Sequence, residues 1–257
     1  MQTNALRAGV ERGELQIGTW VNMIRNPAIL PLLKSAGLDF ARLDMEHSGP
    51  SIETMGNMAL VARALDFPIA VRMPRANREW ITRLLDLGIY NLHCPQVESA
   101  KHAEEIVAAS RYAPVGQRGW AGMSPAWDYE KTESPVERRK FANREVFVTV
   151  MFETAEAFED LDDIAAMDGI DALTIGPADL SQNLGITGMP DQAKVLDEKR
   201  NLVLEAVNKH GKTCAMLCAN AEQARQWKEA GALILAYASE VDVLHDAFSD
   251  AMKRIKG

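Results

Sequence analysis

Two carboxylates near the middle of the chain, Glu153 and Asp179, each stand just past a short apolar run. The first run is Val146 to Phe152 and the second is Ala172 to Pro177. β-Branched and aromatic residues in such runs fit a parallel strand covered on both faces. A carboxylate at the mouth of a buried strand is costly to desolvate without a partner, and a divalent cation is the natural one. The pair therefore points to a metal-assisted enzyme.

The elements that must position these acids are legible from one repeated junction. Four times a helical pattern ends on glycine and runs into an apolar strand: at Gly37, Gly88, Gly169 and Gly231. A glycine just past a helix supplies the left-handed backbone that ends it, and a helix-to-strand return is how a parallel sheet is wound. Eight strands follow, at about 16–21, 39–44, 68–72, 90–95, 146–152, 172–176, 213–217 and 233–237, with amphipathic helices between them. Asn26 and Pro27 read as the cap and first position of one helix, and the last helix carries Val241, Leu244, Phe248, Met252 and Ile255 at helical spacing. Eight alternating units over residues 1–257 predict a single-domain α/β fold, a (β/α)8 TIM barrel. A doubly wound open sheet is the alternative, but no glycine-rich fingerprint follows the first strand. The long connection from Tyr112 to Pro135 either climbs back towards the catalytic face or is a disordered excursion.

Catalytic groups of a barrel stand at the C-terminal ends of its strands. That filter selects Asp44, Glu46 and His47 after strand two, Arg72 at the end of strand three, Glu153 after strand five and Asp179 after strand six. Taken singly, each has a bland reading: a helix-terminus acid, a turn residue, a loop histidine or a surface ion pair. Their coincidence on one rim argues against those readings. Asp86, at a helix end before Gly88, is a weaker member, and His93 lies within a strand, where a core role is expected. No lysine ends a strand, since Lys212 precedes strand seven, so Schiff-base chemistry is disfavoured. The loops after strands seven and eight lack glycine, so a phosphate cradle is not expected there and substrates should be carboxylates.

Bulk properties narrow the partners. A net charge of −8 argues against nucleic acid and anionic membrane surfaces. No apolar run approaches the ~20 residues of a membrane span, and Met1 to Gly13 lacks the apolar core of a signal peptide, so a cytoplasmic protein is expected. Cys94, Cys214 and Cys218 form no Cys-x-x-Cys pair and read as reduced, buried bystanders.

The segments Asp44-Met45-Glu46-His47, Val71-Arg72, Phe152-Glu153-Thr154 and Ile175-Gly176-Pro177-Ala178-Asp179-Leu180-Ser181 resemble the signature blocks of the HpcH/HpaI family of metal-dependent class II pyruvate aldolases. The likeness runs from about Gly18 to Leu244, with Arg111-Tyr112 and Gly116-Gln117-Arg118-Gly119 as further blocks. It implies Glu153 and Asp179 as ligands of a divalent metal, Mg2+ or Mn2+ first and Co2+ or Zn2+ as alternatives. It also implies that Arg72 contacts the keto or enolate oxygen and that His47 is the acid/base group, with Asp86 its orienting partner. Asp44 and Glu46 would stand behind these groups, and the amides of Ala178 and Asp179 would hold the substrate carboxylate. The reaction implied is reversible cleavage of a 4-hydroxy-2-oxo acid to pyruvate and an aldehyde. The assembly implied is a homo-oligomer, commonly a hexamer built as a trimer of dimers, with the last helix packed on a neighbouring subunit.

Two positions depart from the family pattern. Met151 stands where glutamine is common, and Ala238-Ser239-Glu240 replaces a Gly-x-Asp. Neither alters the metal ligands, so the departures bear on substrate identity. A CoA-ester lyase is the alternative activity, although no basic cluster suggests a site for CoA phosphates. A non-catalytic 2-oxo-acid-binding protein is a third reading.

Overall fold

The computed structural model describes residues 2–257. Eight parallel strands close into a barrel in sequence order: β1 (Gln16–Val21), β2 (Phe40–Asp44), β3 (Ile69–Arg72), β4 (Asn91–Cys94), β5 (Phe147–Phe152), β6 (Ala172–Ile175), β7 (Thr213–Cys218) and β8 (Ile234–Ser239), which returns to β1. The expected strands are all present, with ends shifted by the one or two residues by which element boundaries differ. The four junction glycines do adopt left-handed backbone, with φ of 92°, 85°, 95° and 100°.

Alternation along the strands divides the side chains into two populations. Outward residues such as Leu43, Val71, Leu92 and Val148 join one continuous apolar core beneath the helices. Inward residues are layered. On β2, Phe40, Arg42 and Asp44 share the inward face. Phe40 joins Phe147, Ala172, Ala215 and Ile234 in an apolar floor, Arg42 lies above them, and Asp44 reaches the rim. Gly18 is required beside Phe40, because a Cβ there would lie 2.7 Å from the ring.

The floor is plugged by α1 (Ala5–Glu11), a helix the sequence reading leaves out. Asn4 caps it by accepting the Arg7 amide, and Leu6 seals the apolar layer from below. The next helix, α2 (Ile29–Ser35), starts two residues after the expected position. Asn26 instead closes a turn by accepting the Ala28 amide at 3.0 Å. The outer ring continues with α3 (Ile52–Ala64), α4 (Arg78–Asp86), α5 (Ala100–Ser110), α6 (Pro135–Glu145), α7 (Leu161–Ala166), α8 (Pro177–Asn183), α9 (Gln192–Lys209), α10 (Ala221–Glu229) and α11 (Glu240–Lys256).

The connection from Tyr112 to Pro135 neither climbs to the catalytic face nor wanders; it packs under the barrel. The Tyr112 amide donates to Asn143, the Tyr90 hydroxyl donates to the Ala126 carbonyl at 3.0 Å, and Arg63 holds the Pro125 carbonyl. Tyr112, Ala126 and Trp127 form a small buried cluster with Ala142 of α6. At the other end of the chain, α11 buries only Glu240, while Val241, Leu244, Phe248, Met252 and Ile255 stay exposed. Its apolar stripe therefore does not serve the barrel's own outer ring. No helix among the described residues is long and apolar enough to cross a membrane.

Candidate active site

The turn after β2 is shaped by the Asp44 carboxylate, which accepts the amides of Glu46 at 3.0 Å and His47 at 3.3 Å. It also accepts a forked pair from Arg72, Nε at 2.8 Å and Nη2 at 2.9 Å. The third guanidinium nitrogen lies 3.2 Å from Glu46 Oε2. Burial works against the Asp44 charge, but Arg72 and the two amides outweigh it and hold the carboxyl below its usual range. Arg72 lies with its guanidinium 4.6 Å from the Trp20 ring centre, a cation–π contact that fixes it from the barrel side.

Across the rim, Glu153 is only 3% exposed. Its Oε2 accepts the Gln96 amide at 2.7 Å, and the Gln96 side chain donates to Glu46 at 3.2 Å. Its Oε1 lies against Gly176, where a Cβ would come within 2.3 Å, so residue 176 must be glycine for this carboxylate to fit. Burial pushes the Glu153 carboxyl up to about 7, against the pull of the Gln96 amide and with help from Glu46 and Asp179. Burial also raises Glu46, despite Arg72 and His47. Asp179 sits in the first turn of α8, and His47 Nε2 lies 3.7 Å from both Asp179 Oδ2 and Glu46 Oε2.

Four carboxylates, Asp44, Glu46, Glu153 and Asp179, thus share one guanidinium, and Arg72 is already committed to Asp44 and Glu46. Glu46 Oε2 is buried with ion-pair contacts to Arg72 and His47 but no well-aligned hydrogen bond. This surplus of acid, with oxygen donors only, fits a hard divalent cation held between Glu153 and Asp179. No group of three or more His, Cys, Asp or Glu side chains among the described residues is spaced to enclose a metal. A two-carboxylate site would leave coordination positions for solvent and substrate. The rim opens into a cavity of about 950 Å3 that takes in His47, Arg72, Glu153 and Asp179.

With fold and rim in place, comparison with known proteins is decisive. The sequence model of the family described as HpcH/HpaI aldolase/citrate lyase matches residues 16–247. The chain belongs to the HpcH/HpaI family. It is 30% identical to a hydroxypyruvate/pyruvate aldolase of Delftia acidovorans, covering 96% of this chain and 90% of that one. It is equally 30% identical to a 5-keto-4-deoxy-D-glucarate aldolase of Citrobacter koseri, over 98% of this chain and 97% of that one. Among solved structures, an HpcH/HpaI aldolase from Desulfitobacterium hafniense superposes with a TM-score of 0.91 at 31% identity, covering 98% of this chain and 96% of the other.

The family-based expectations meet the HpcH/HpaI barrel unevenly. Asp44, Glu46, His47, Arg72, Glu153, Ala178 and Asp179 all stand on the C-terminal rim or at the start of α8. Asp86 does not. It ends α4 at the opposite face, where it accepts Arg118 at 2.9 Å, so within the chain it cannot orient His47. The acids beside His47 are Glu46 and Asp179. Lys212 is on the floor, donating to the Met167 and Ile170 carbonyls. The three cysteines are free and buried.

Two site residues, Gln96 and Trp20, lie outside the sequence reading, and His93 and Glu240 stand in it without the contacts they make here. Gln96 links Glu153 to Glu46 from a left-handed position, φ 50°, after β4. The Trp20 ring centre lies 4.6 Å from the Arg72 guanidinium and 5.1 Å from that of Arg42, and the ring makes an edge contact with His93. His93 is buried in the barrel with neither ring nitrogen paired, and burial together with Arg42 and Arg72 keeps it neutral. Glu240, at the second departure from the family pattern, accepts the amides of Asn22, Met23 and Ile24 and so clamps the β1–α2 loop. Of Gln96 and Trp20, Gln96 carries a signal in the sequence, the Pro95-Gln96 pair where a strand run stops.

Proposed function

We propose that the chain is a divalent-metal-dependent aldolase that reversibly cleaves a 4-hydroxy-2-oxo acid to pyruvate and an aldehyde. Aldolase-named relatives spanning nearly the whole chain support the carbon–carbon lyase class. The observation that carries the metal-dependent mechanism is the acid surplus around Glu153 and Asp179. These two carboxylates would hold the metal, Mg2+ or Mn2+ before Co2+ or Zn2+. When bound, such a cation polarises the 2-oxo carbonyl as a Lewis acid.

The remaining work falls to the chain. The first-turn amides of α8, Ala178 and Asp179, have no intrahelical acceptor and would donate to the substrate carboxylate. Pro177 has no N–H to give. His47 Nε2 would take the C4 hydroxyl proton, directly or through one water, with Glu46 and Asp179 stabilising the imidazolium. As the C3–C4 bond breaks, negative charge grows on the keto oxygen of the departing enolate. Arg72 would donate to it, an interaction typically worth about 3 kcal/mol. Returning the proton to C3 releases pyruvate.

The reading extends to the setting: a one-domain cytoplasmic enzyme assembled as a hexamer, a trimer of dimers, with the exposed stripe of α11 covered by a neighbouring subunit. The test is pyruvate release from a 4-hydroxy-2-oxo acid with and without Mg2+ or Mn2+. Glu153→Gln and Asp179→Asn should each abolish the metal-dependent rate, and unchanged turnover in either would reject the site.

A further inference from the structure

One charge inside the barrel has no counterpart. Arg42 stands on the inward face of β2, above the apolar floor and one inward position below Asp44, and is 3% exposed. Among the described residues no acid forms an ion pair with it, and its Nε is buried without an acceptor. Asp44 is held by Arg72 and two backbone amides instead. The groups around Arg42 add to the imbalance. It lies 5.1 Å from the Trp20 ring centre and 5.7 Å from that of Phe40, and the charge that acts on it is a second cation, Arg72. His93, in edge contact with the same Trp20 ring, has neither nitrogen paired, and Trp20 Nε1 also lacks an acceptor. Donors and positive charge are gathered here, with no acid among them.

A guanidinium taken out of water without a counter-charge is one of the costliest burials in a fold. Arginine cannot escape that cost by shedding its proton at neutral pH, because burial and Arg72 bring it down only to about 9. A neighbouring subunit cannot supply the missing acid either. The closed strands surround Arg42, Leu6 of α1 seals the floor, and the rim cavity above is lined by Trp20 and not by Arg42. Space is left beside it. Across the strand register Arg42 pairs with Ala70 and His93 with Thr149, and Ala70 and Thr149 keep 6% and 5% of their surface although both point into the barrel. We propose that the barrel interior binds a small monovalent anion, of the size and charge of chloride, held by the Arg42 guanidinium and a ring N–H of neutral His93. The ion balances Arg42 without another ionised side chain, and the site stands whatever reaction the rim performs.

The test uses the full-length protein, dialysed free of halide and returned to chloride, bromide or gluconate at one ionic strength. Crystals from the halide buffers are measured at wavelengths where chloride or bromide scatters anomalously and water does not. The expected result is an anomalous peak within hydrogen-bonding reach of Arg42 and His93. In solution, raising chloride about 100-fold at fixed ionic strength should lift the thermal midpoint by about 3 °C or more, because the ion binds the folded chain alone. Gluconate, too large for the site, should not. Arg42→Met, which fills similar space without charge, should lose both the peak and the chloride response. If that variant does not fold, the wild-type peak and midpoint shift decide alone. A water without anomalous signal at this place overturns the proposal, as does an equal midpoint in chloride and gluconate. A peak with no midpoint response marks an adventitious ion only and overturns it too, and so does a chloride response retained in Arg42→Met.

Discussion

The two ends of the barrel treat charge in opposite ways. On the floor, Asp171 accepts Arg7 at 2.6 Å, Arg111 at 3.4 Å and the Val148 amide at 2.7 Å. Glu145 there accepts the Asn4 amide at 2.7 Å and Arg144 at 2.9 Å, and Asp86 accepts Arg118. Each acid has its cation, so the charges are spent on holding α1, α6 and the long connection beneath the strands. On the rim, four acids face one committed arginine. A fold does not need that imbalance, and leaving it uncorrected costs stability. An unbalanced field is kept where something from outside completes it.

The contrast can be broken from either side. Arg72→Lys should reduce kcat by about 100-fold, because an ammonium cannot hold Asp44 through two parallel bonds and still meet Glu46 and a growing oxyanion. Steady-state kinetics with saturating metal reads this, and a loss below about fivefold would remove Arg72 from the proposed role. On the floor, Asp171→Ala should leave the nearly buried Arg111 without its carboxylate and lower the unfolding free energy by about 3 kcal/mol. Urea denaturation measures that loss, while kcat/KM of the folded protein should stay within about twofold. If activity collapsed and stability held, the division of labour between the two ends would be wrong.

How much of this was readable beforehand follows the same division. The strands and the rim residues are marked by features local in sequence: a glycine stop, an apolar run, then a polar residue where the run ends. Asp44 and Asp179 follow that rule in full, while Arg72 and Glu153 share the run and its polar end without the glycine stop. The floor is assembled from partners far apart in sequence, such as Asn4 with Glu145 and Arg7 with Asp171, and no local pattern announces them. Within one chain Asp86 stands apart from His47 for that reason: its partner Arg118 lies beyond β4 and α5, in a connection that no local pattern places. Helix α1 is a short helix of about two turns, and its role appears only when the barrel closes over Leu6.

A pH series sharpens the rim side. Burial raises Glu153 from its usual 4.5 to about 7, so between those values the folded, metal-free chain holds a proton that the unfolded chain has released. Metal-free stability from this group therefore falls as pH rises from the ordinary carboxylate range towards 7. A cation must displace the same proton. Mn2+ affinity, followed by calorimetry, should rise by up to about tenfold per pH unit below 7 and level off above it. In Glu153→Gln this part of the stability slope should vanish. A metal affinity flat from pH 5.5 to 7.5 (about two units) would mean the carboxylate is not buried without a cation as described.

The smallest effect expected concerns how the rim is tied to β8. Along β1, Gly18 pairs with Ala236 but Trp20 pairs with Ser239, so β8 carries one extra residue at this point. Ala238 takes up the bulge with φ 47°, a left-handed conformation that a Cβ disfavours by about 1–2 kcal/mol. The bulge turns the chain so that Ser239 caps α11 and Glu240 points back into the β1–α2 loop amides. Glycine would relieve the strain but gain freedom in the unfolded chain, which offsets roughly half of the benefit. Ala238→Gly should therefore stabilise the protein by only about 0.5 kcal/mol in urea melts, with the bulge and the Glu240 clamp retained. Destabilisation instead would show that the alanine methyl, at the edge of the cavity, contributes packing that outweighs its backbone cost.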